Sequence, residues 1–447
     1  KIRLDQLVGD GKLLEATYCV MSTGPLSKPT DPDIPGLGRF KGQTLRAARW
    51  PQEEPDLKGK RVGVLGTGSS GMQIIQTLGR TDCELFVFQR TPSFTLPMRN
   101  RKVSERDVAE LKANYASIRA ACRLNPTGGA RPVSTRPFFS IPADHRQELM
   151  EQAWQHGGHT FLGIFSDLMV NQSANDQVAD FVRDRIEEVV EDKALAEKLK
   201  PRGYPIFARR PCLDTGYYET YNRPNVHLVD CLEDPIVEIT EKGIRTRAGE
   251  HELDVLILAT GYDALTGALL AFEIIGKDGV ALKDKLDGGP RSLFGILMQG
   301  FPNLFMTTGP NGPAALANIF TISENDVDFI AGVIGHMQKT GQGAVEASAR
   351  AEDAWMDQIQ TLASRSLMLK AKTWWMGSNV KGKPQGMAMF TGGFHKYREA
   401  CEAVAANGYR DLAFDLLRQA MTKPRFDAEP VERLRAQILA GLRHESE

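Results

Sequence analysis

The stretch Val62–Gly71, VGVLGTGSSG, limits what this chain can fold into more than any other. An apolar run leads into Gly66-Thr67-Gly68-Ser69-Ser70-Gly71, and a helical pattern follows from Met72 to Leu78. Strand, G-x-G-x-x-G turn and helix, in that order, form the opening of a dinucleotide-binding unit. Gly66 permits the tight turn, Gly68 lets a pyrophosphate reach the backbone, and Gly71 lets helix and strand pack closely. The free N–H groups at the helix start then face the phosphates, with Thr67, Ser69, Ser70 and Gln73 as polar neighbours. A plain βα turn is the alternative, and the flanking strand and helix argue against it.

The next strand selects the dinucleotide. Glu84–Phe88 runs into Gln89-Arg90-Thr91, roughly twenty residues past the glycines, where an NAD site would place Asp or Glu on the ribose hydroxyl. Arg90 stands there instead, with the Thr91 hydroxyl beside it. A guanidinium forks onto a 2′-phosphate and gains nothing special from a bare hydroxyl. The reading is NADP; the alternative is a solvated arginine at a strand end.

Length and charge exclude other classes. The 447 residues allow two or three domains, and a net charge of −1 argues against a nucleic-acid or membrane-surface role. No apolar run is long enough to span a bilayer. The start, Lys1-Ile2-Arg3-Leu4-Asp5, is not a signal peptide. Six scattered cysteines without a C-x-x-C predict a reduced, cytoplasmic protein without structural metal. The sequence does not set the oligomeric state.

Strands are predicted at Ile2–Leu7 and Leu13–Ser22, the second closing on Thr23-Gly24. Pro25–Gly42 is too rich in breakers for a helix and reads as a linker. From Arg99 to about Lys200 the chain is charged and helical in period, with Val108–Ala121, Gln147–Gln155 and Gln177–Leu199 the clearest helices. His156 and His159 lie in a polar loop with no further ligand group to make a metal site. Strands return at Val226–Val229, Ile236–Ile239, Gly243–Thr246 and Leu253–Ala259. The last ends at Thr260-Gly261, like the turn at Thr23-Gly24. Carboxyl ends of strands carry the ligand in an open parallel sheet, so both turns are expected beside a cofactor. Helices are expected at Ala314–Phe320, Val327–Met337 and Ala347–Leu362, and an apolar stripe runs through Val431, Leu434, Ile438, Leu439 and Leu442.

Together these stretches resemble the Baeyer–Villiger monooxygenases, flavoenzymes that convert ketones into esters or lactones. The family fingerprint, F-x-G-x-x-x-H-x-x-x-W-P, is matched by Phe40, Gly42, Trp50 and Pro51 just before the glycine turn. Arg46 replaces its histidine and keeps a cation but not a titratable one. Further matches are Gln89-Arg90-Thr91, Arg209-Arg210-Pro211, Leu213–Tyr218, Ala259–Tyr262, and Trp374 with Gly377-Ser378-Asn379 and Gly382-Lys383. The likeness is greatest to the cyclohexanone monooxygenase branch and its steroid and large-ring relatives.

The resemblance implies an α/β protein with two Rossmann-like dinucleotide domains, for FAD and NADPH, and a helical insertion. It divides the chain into a remnant of the FAD domain (1–25), a linker (26–52), the NADP domain in two parts (53–103 and 213–263), the insertion (104–212) and the rest of the FAD domain (264–447). It implies oxygen insertion beside a ketone carbonyl through a flavin C4a-peroxide, using O₂. In that scheme Arg209 takes the 2′-phosphate, Trp374 lies near the nicotinamide, and Arg210 is catalytic. A fixed cation keeps the peroxide anionic and stabilises the oxyanion of the adduct, and arginine never loses its proton. Taken without the family, Arg210 reads more readily as a salt-bridged surface arginine in the basic pair Arg209-Arg210. Ala314, Ala315 and Leu316 are expected to border the substrate pocket and leave room for bulky ketones.

The chain holds one G-x-G-x-x-G, and the family uses two. Its start is therefore read as lying inside an FAD domain, so that the 447 residues alone are expected to hold FAD poorly. Two other readings stay open: a non-catalytic NADP-binding piece, and a flavin monooxygenase acting on amines or sulfides.

Overall fold

The computed structural model describes residues 2–4, 14–313 and 317–414. The expected pocket residues Ala314, Ala315 and Leu316 and the apolar stripe 431–442 lie outside them. Eight elements set the site: Cys19–Met21 (β1), Gln43–Arg46 (β2), Arg61–Leu65 (β3), Ser69–Leu78 (α1), Glu84–Gln89 (β4), Val226–Asp230 (β5), Val255–Leu258 (β6) and Leu304–Met306 (β7). Two later helices, Ile319–Thr340 (α2) and Phe394–Ala406 (α3), belong to the carboxyl-terminal core.

Five strands form one sheet in the order β2-β6-β3-β4-β5, all parallel. The period of two along a strand explains its two faces. Val62, Val64, Leu85, Val87, Val255 and Ile257 point one way and are buried with Met72 and Ile75 of α1. Leu65, Phe88, Leu256 and Leu258 point the other way, onto Ile239, Ile244 and Leu253. Those last residues come from the antiparallel sheet of Ile236–Ile239, Gly243–Thr246 and Glu250–Glu252 and the residues that follow it. With both faces covered, the strands can be apolar throughout. Gln43–Arg46 follows the breaker-rich Pro25–Gly42 and pairs with β6 as the edge strand.

The segment between β4 and β5 is helical, but its predicted helices are split. Val108–Ala121 is two helices, Glu105–Ala113 and Tyr115–Leu124, meeting at Asn114. Asn114 leaves helical geometry at φ −102°, ψ 10°, and its side chain donates to the Glu110 carbonyl. Gln177–Leu199 breaks where Asp192 caps a new helix by accepting from the Ala194 and Leu195 N–H groups. Side-chain hydrogen bonds of Asn and Asp compete with the helix ladder, and a periodicity argument does not see them. A short parallel pair, Thr95–Pro97 with Cys212–Asp214, escapes the sequence reading altogether. It brackets the helical segment and returns the chain to the sheet.

Elsewhere β1 pairs in parallel with β7, Leu304 opposite Cys19 and Met306 opposite Met21. The predicted strand Leu13–Ser22 is two, Leu14–Ala16 and β1, interrupted at Thr17-Tyr18. Helices α2, α3 and Ala349–Ser364 enclose a core of Phe294, Phe329, Trp355, Phe390 and Tyr397.

Candidate dinucleotide site

The three glycines of the turn between β3 and α1 are each required for a different reason. Gly66 has φ +107°, and a β-carbon there would lie 2.6 Å from the Ala259 carbonyl oxygen. A β-carbon on Gly71 would overlap the Gly66 carbonyl oxygen. Gly68 has ordinary φ, −76°, and a β-carbon would meet nothing within 4 Å. So Gly66 and Gly71 are fixed by the protein itself, while Gly68 keeps open space over the turn. The helix it starts has no side-chain cap and no acidic residue in its first turn. The first N–H groups of a helix need a partner, and here the protein supplies none from a side chain. That is the arrangement an anion completes.

Thr67 is buried, and its hydroxyl donates to the Thr91 carbonyl at 3.2 Å. Ser93 Oγ donates back to the Thr67 carbonyl at 3.1 Å. The glycine turn and the end of β4 are thereby locked side by side. Arg90 is exposed there and has no ion-pair partner among the described residues. Ser69 is exposed and Ser70 half-buried at the helix start; Gln73 lies exposed one turn on.

The strap 204–212 crosses beside this edge. Tyr204 Oη donates to the Pro92 carbonyl at 2.9 Å, and the Cys212 N–H to the Phe94 carbonyl at 3.0 Å. Phe207, buried at φ +67°, bends the strap sharply just before the two arginines. Arg209 lays its guanidinium over the Tyr204 ring, 4.4 Å from the centroid. Its Nε is buried without a hydrogen-bond partner. Arg210 is exposed, with Cys212 and His159 nearby: burial and the Arg210 charge hold the His159 imidazole below its ordinary value. Burial pushes the Cys212 thiol up to about 11, against the opposing pull of the Ser69 hydroxyl and Arg210. Ser69, Cys212 and Arg210 thus form a chain of neighbours from the glycine turn to the strap. Neither Arg209 nor Arg210 has a carboxylate partner among the described residues, so the salt-bridged surface pair is not what the structure contains.

The turn after β6 completes the edge. Thr260 Oγ1 donates to the Thr30 carbonyl at 2.6 Å, and the Thr30 N–H to Gly261 at 3.0 Å. Gly261 has φ +85° and open space at its β-position. Thr260, Gly261, Ser70, Asp31 and Arg46 line a small, shallow, solvent-open cleft. Thr23 and Gly24, after β1, are partly buried; Gly24 has φ +71°, and Ser27 Oγ donates to the Thr23 carbonyl.

Sequence reasoning missed the clamp that holds the 373–383 loop. Lys383 Nζ reaches Asp263 Oδ1 at 2.6 Å and the Ala264 carbonyl at 2.8 Å, and Asn379 Nδ2 donates to the Tyr262 carbonyl at 2.8 Å. Half-buried Trp374, its ring tilted against that of buried Trp375 with centroids 5.6 Å apart, is carried on that loop beside the turn after β6. No local pattern announces a pair separated by 120 residues. Among the described residues no group of three or more His, Cys, Asp or Glu could hold a metal ion, and no helix is long and apolar enough to cross a membrane.

No protein-family model matches the chain. It is similar to cyclohexanone 1,2-monooxygenase of Acinetobacter sp., 36% identical over 417 residues, covering 93% of this chain and 76% of the relative. It is 37% identical over 412 residues to a Baeyer–Villiger monooxygenase of Pseudooceanicola batsensis, covering 92% and 75%. Among solved structures it matches an oxidized steroid monooxygenase bound to NADP, with a TM-score of 0.86, 38% identity, and 91% and 76% of the two chains covered.

Proposed function

The chain belongs to the Baeyer–Villiger monooxygenase family, an NADPH- and FAD-dependent oxidoreductase family, and on that premise we propose how its own residues serve the oxygenation of a ketone. The glycine turn fits a dinucleotide: Gly68 is open, α1 is uncapped, and no carboxylate stands at the end of β4. Arg90 and Arg209 fit a 2′-phosphate. Among the described residues the first has no ion-pair partner, and the second has a buried Nε without an acceptor. This pair of cations without carboxylates is the observation that carries the preference for NADPH over NADH. Thr67 and Thr91 hold the two walls of that site in register.

FAD, when bound, accepts hydride from NADPH and activates O₂. The chain's part is to position and to stabilise charge. Thr23, Gly24, Thr260 and Gly261 line the two strand-end turns that would meet the cofactors. Trp374 borders the nicotinamide side, held there by Lys383 and Asn379. Arg210 holds a permanent positive charge on the strap beside the glycine turn, near Cys212 and His159. There it favours a deprotonated oxygen nucleophile and then stabilises the oxyanion formed on the ketone carbon. The nearby His159, kept neutral, adds no charge of its own. We infer that 53–103 and 213–263 form the NADP domain, with 104–212 inserted, and that 1–25 and 264–447 belong to the FAD domain.

The experiment is oxygenation of cyclohexanone and of bulkier ketones by the chain supplied with NADPH, ¹⁸O₂ and FAD in saturating excess, because the chain alone is expected to hold FAD poorly. Lactone or ester carrying one ¹⁸O is the expected product. NADPH oxidation that yields hydrogen peroxide and no oxygenated ketone, or sulfoxide and N-oxide from matched substrates with no ester, would overturn the ketone assignment.

A further inference from the structure

One cation lining the cleft after β6 has no task in this scheme. Arg46, the last residue of β2, stands there with Asp31, Ser70 and Thr260. Its guanidinium forks onto Asp31, Nε to Oδ1 at 3.0 Å and Nη2 to Oδ2 at 3.2 Å. Both side chains are wet, Arg46 37% and Asp31 58% exposed. A pair this exposed contributes little, and an anion of higher charge competes with it well. Ser70, on the same wall, belongs to the first turn of α1, where no side chain caps the helix. A diphosphate laid on those N–H groups would lie between the positive end of α1 and Arg46.

We propose that Arg46 is a dinucleotide-binding residue of this chain, held by Asp31 when the site is free and transferred to the diphosphate of NADP(H) when it fills. The proposal rests on the reading of the 66–71 turn as the NADP(H) site. Arginine suits the exchange because phosphate and carboxylate oxygens accept the same two-pronged donation. Asp31 cannot follow the guanidinium far. Its neighbour Thr30 is pinned to the turn after β6 by bonds in both directions, Thr30 N–H to Gly261 and Thr260 Oγ1 to Thr30. Once released, the Asp31 carboxylate is already hydrated and needs no new partner. In the free site Arg46 screens that carboxylate, which would otherwise repel an incoming diphosphate. Asp31 therefore sets the affinity and Arg46 supplies it.

The test is titration of the whole chain with NADP⁺ and, separately, with 2′-AMP, which carries the 2′-phosphate and no diphosphate. Arg46→Ala is expected to weaken NADP⁺ by about tenfold or more while leaving 2′-AMP unchanged, and Arg46→Lys to recover part of the loss. Asp31→Asn is expected to tighten NADP⁺ and leave 2′-AMP unchanged. NADP⁺ bound equally by wild type and Arg46→Ala, or NADP⁺ and 2′-AMP weakened alike, would overturn the assignment of Arg46 and leave the NADP site standing. If the wild-type chain binds neither ligand, the reading beneath it falls as well.

Discussion

Gly71 sits directly against the carbonyl of Gly66, so near that it cannot carry a side chain without moving α1 away from β3, while a side chain on Gly66 would meet the Ala259 carbonyl instead. Gly68, between them, touches no protein atom at its β-position. The turn therefore separates folding from binding within six residues.

Gly71→Ala is expected to destabilise the fold by about 1–3 kcal/mol, the usual cost of forcing atoms into a packed contact. Gly68→Ala is expected to melt like wild type and to lose dinucleotide affinity, because the added methyl fills the space above the helix start. Thermal melts with parallel NADP⁺ titrations check both. A Gly68→Ala protein that binds NADP⁺ normally would remove the ligand from that space.

Arg209→Ala and Arg90→Ala are each expected to raise the KM for NADPH tenfold to a hundredfold, the value of roughly 1.5–3 kcal/mol for hydrogen bonds to a charged group. The KM for NADH should scarcely move. Steady-state kinetics with the two coenzymes measures the ratio. A proportional loss with both would point to a structural role for the Arg209–Tyr204 stack.

Arg210→Ala is expected to lower kcat for ketone oxygenation by about 10²–10³, the usual cost of losing one oxyanion-stabilising donor, with NADP⁺ affinity nearly unchanged. Arg210→Lys should recover part, since it keeps the charge and loses the fork. Product analysis under single turnover separates this from uncoupled NADPH oxidation. Ketone oxygenation near the wild-type rate in Arg210→Ala would remove it from the chemistry.

Asp326 provides a pH test away from the site. It is buried on α2, and burial raises its carboxyl to about 6 against the opposing pull of Tyr397 and the Thr308 N–H. Tyr397 Oη lies 2.9 Å from the Phe294 carbonyl and 2.6 Å from Asp326 Oδ1, and one hydroxyl proton cannot serve both. A protonated Asp326 resolves this by donating to Tyr397. A folded pKa above the unfolded one gives stability that is complete below about pH 4 and lost as pH rises through about 6. The loss is about 3 kcal/mol at most. In Asp326→Asn the amide donates permanently to Tyr397, so its denaturant midpoint should be flat from pH 4 to 8. It should equal or exceed wild type at pH 8. A wild-type midpoint that rises over that interval would contradict the assignment.

The parts legible in the sequence were those written in consecutive residues. Gly66–Gly71 gave its own neighbours, and the continuous apolar runs Val62–Leu65 and Val255–Leu258 gave buried strands. Helix breaks at Asn114 and Asp192 were not legible, because one side-chain hydrogen bond there outweighs a propensity summed over many residues. The pairing of Thr95–Pro97 with Cys212–Asp214 was hidden for another reason. Each run is three residues long, too short for a period to show, and the partners are far apart in the chain.

By itself the sequence determined the strand, glycine turn and helix at 61–78 and the family. Each depends on residue type at a fixed local spacing, which the chain's covalent geometry turns directly into shape. Only the tertiary structure decided that Arg209 and Arg210 meet no carboxylate among the described residues, that Arg46 is held by Asp31, and that Lys383 fastens the Trp374 loop to Asp263. Whether a charge is paired depends on which distant residue the packed chain brings within about 4 Å, and no rule of spacing along the sequence contains that distance.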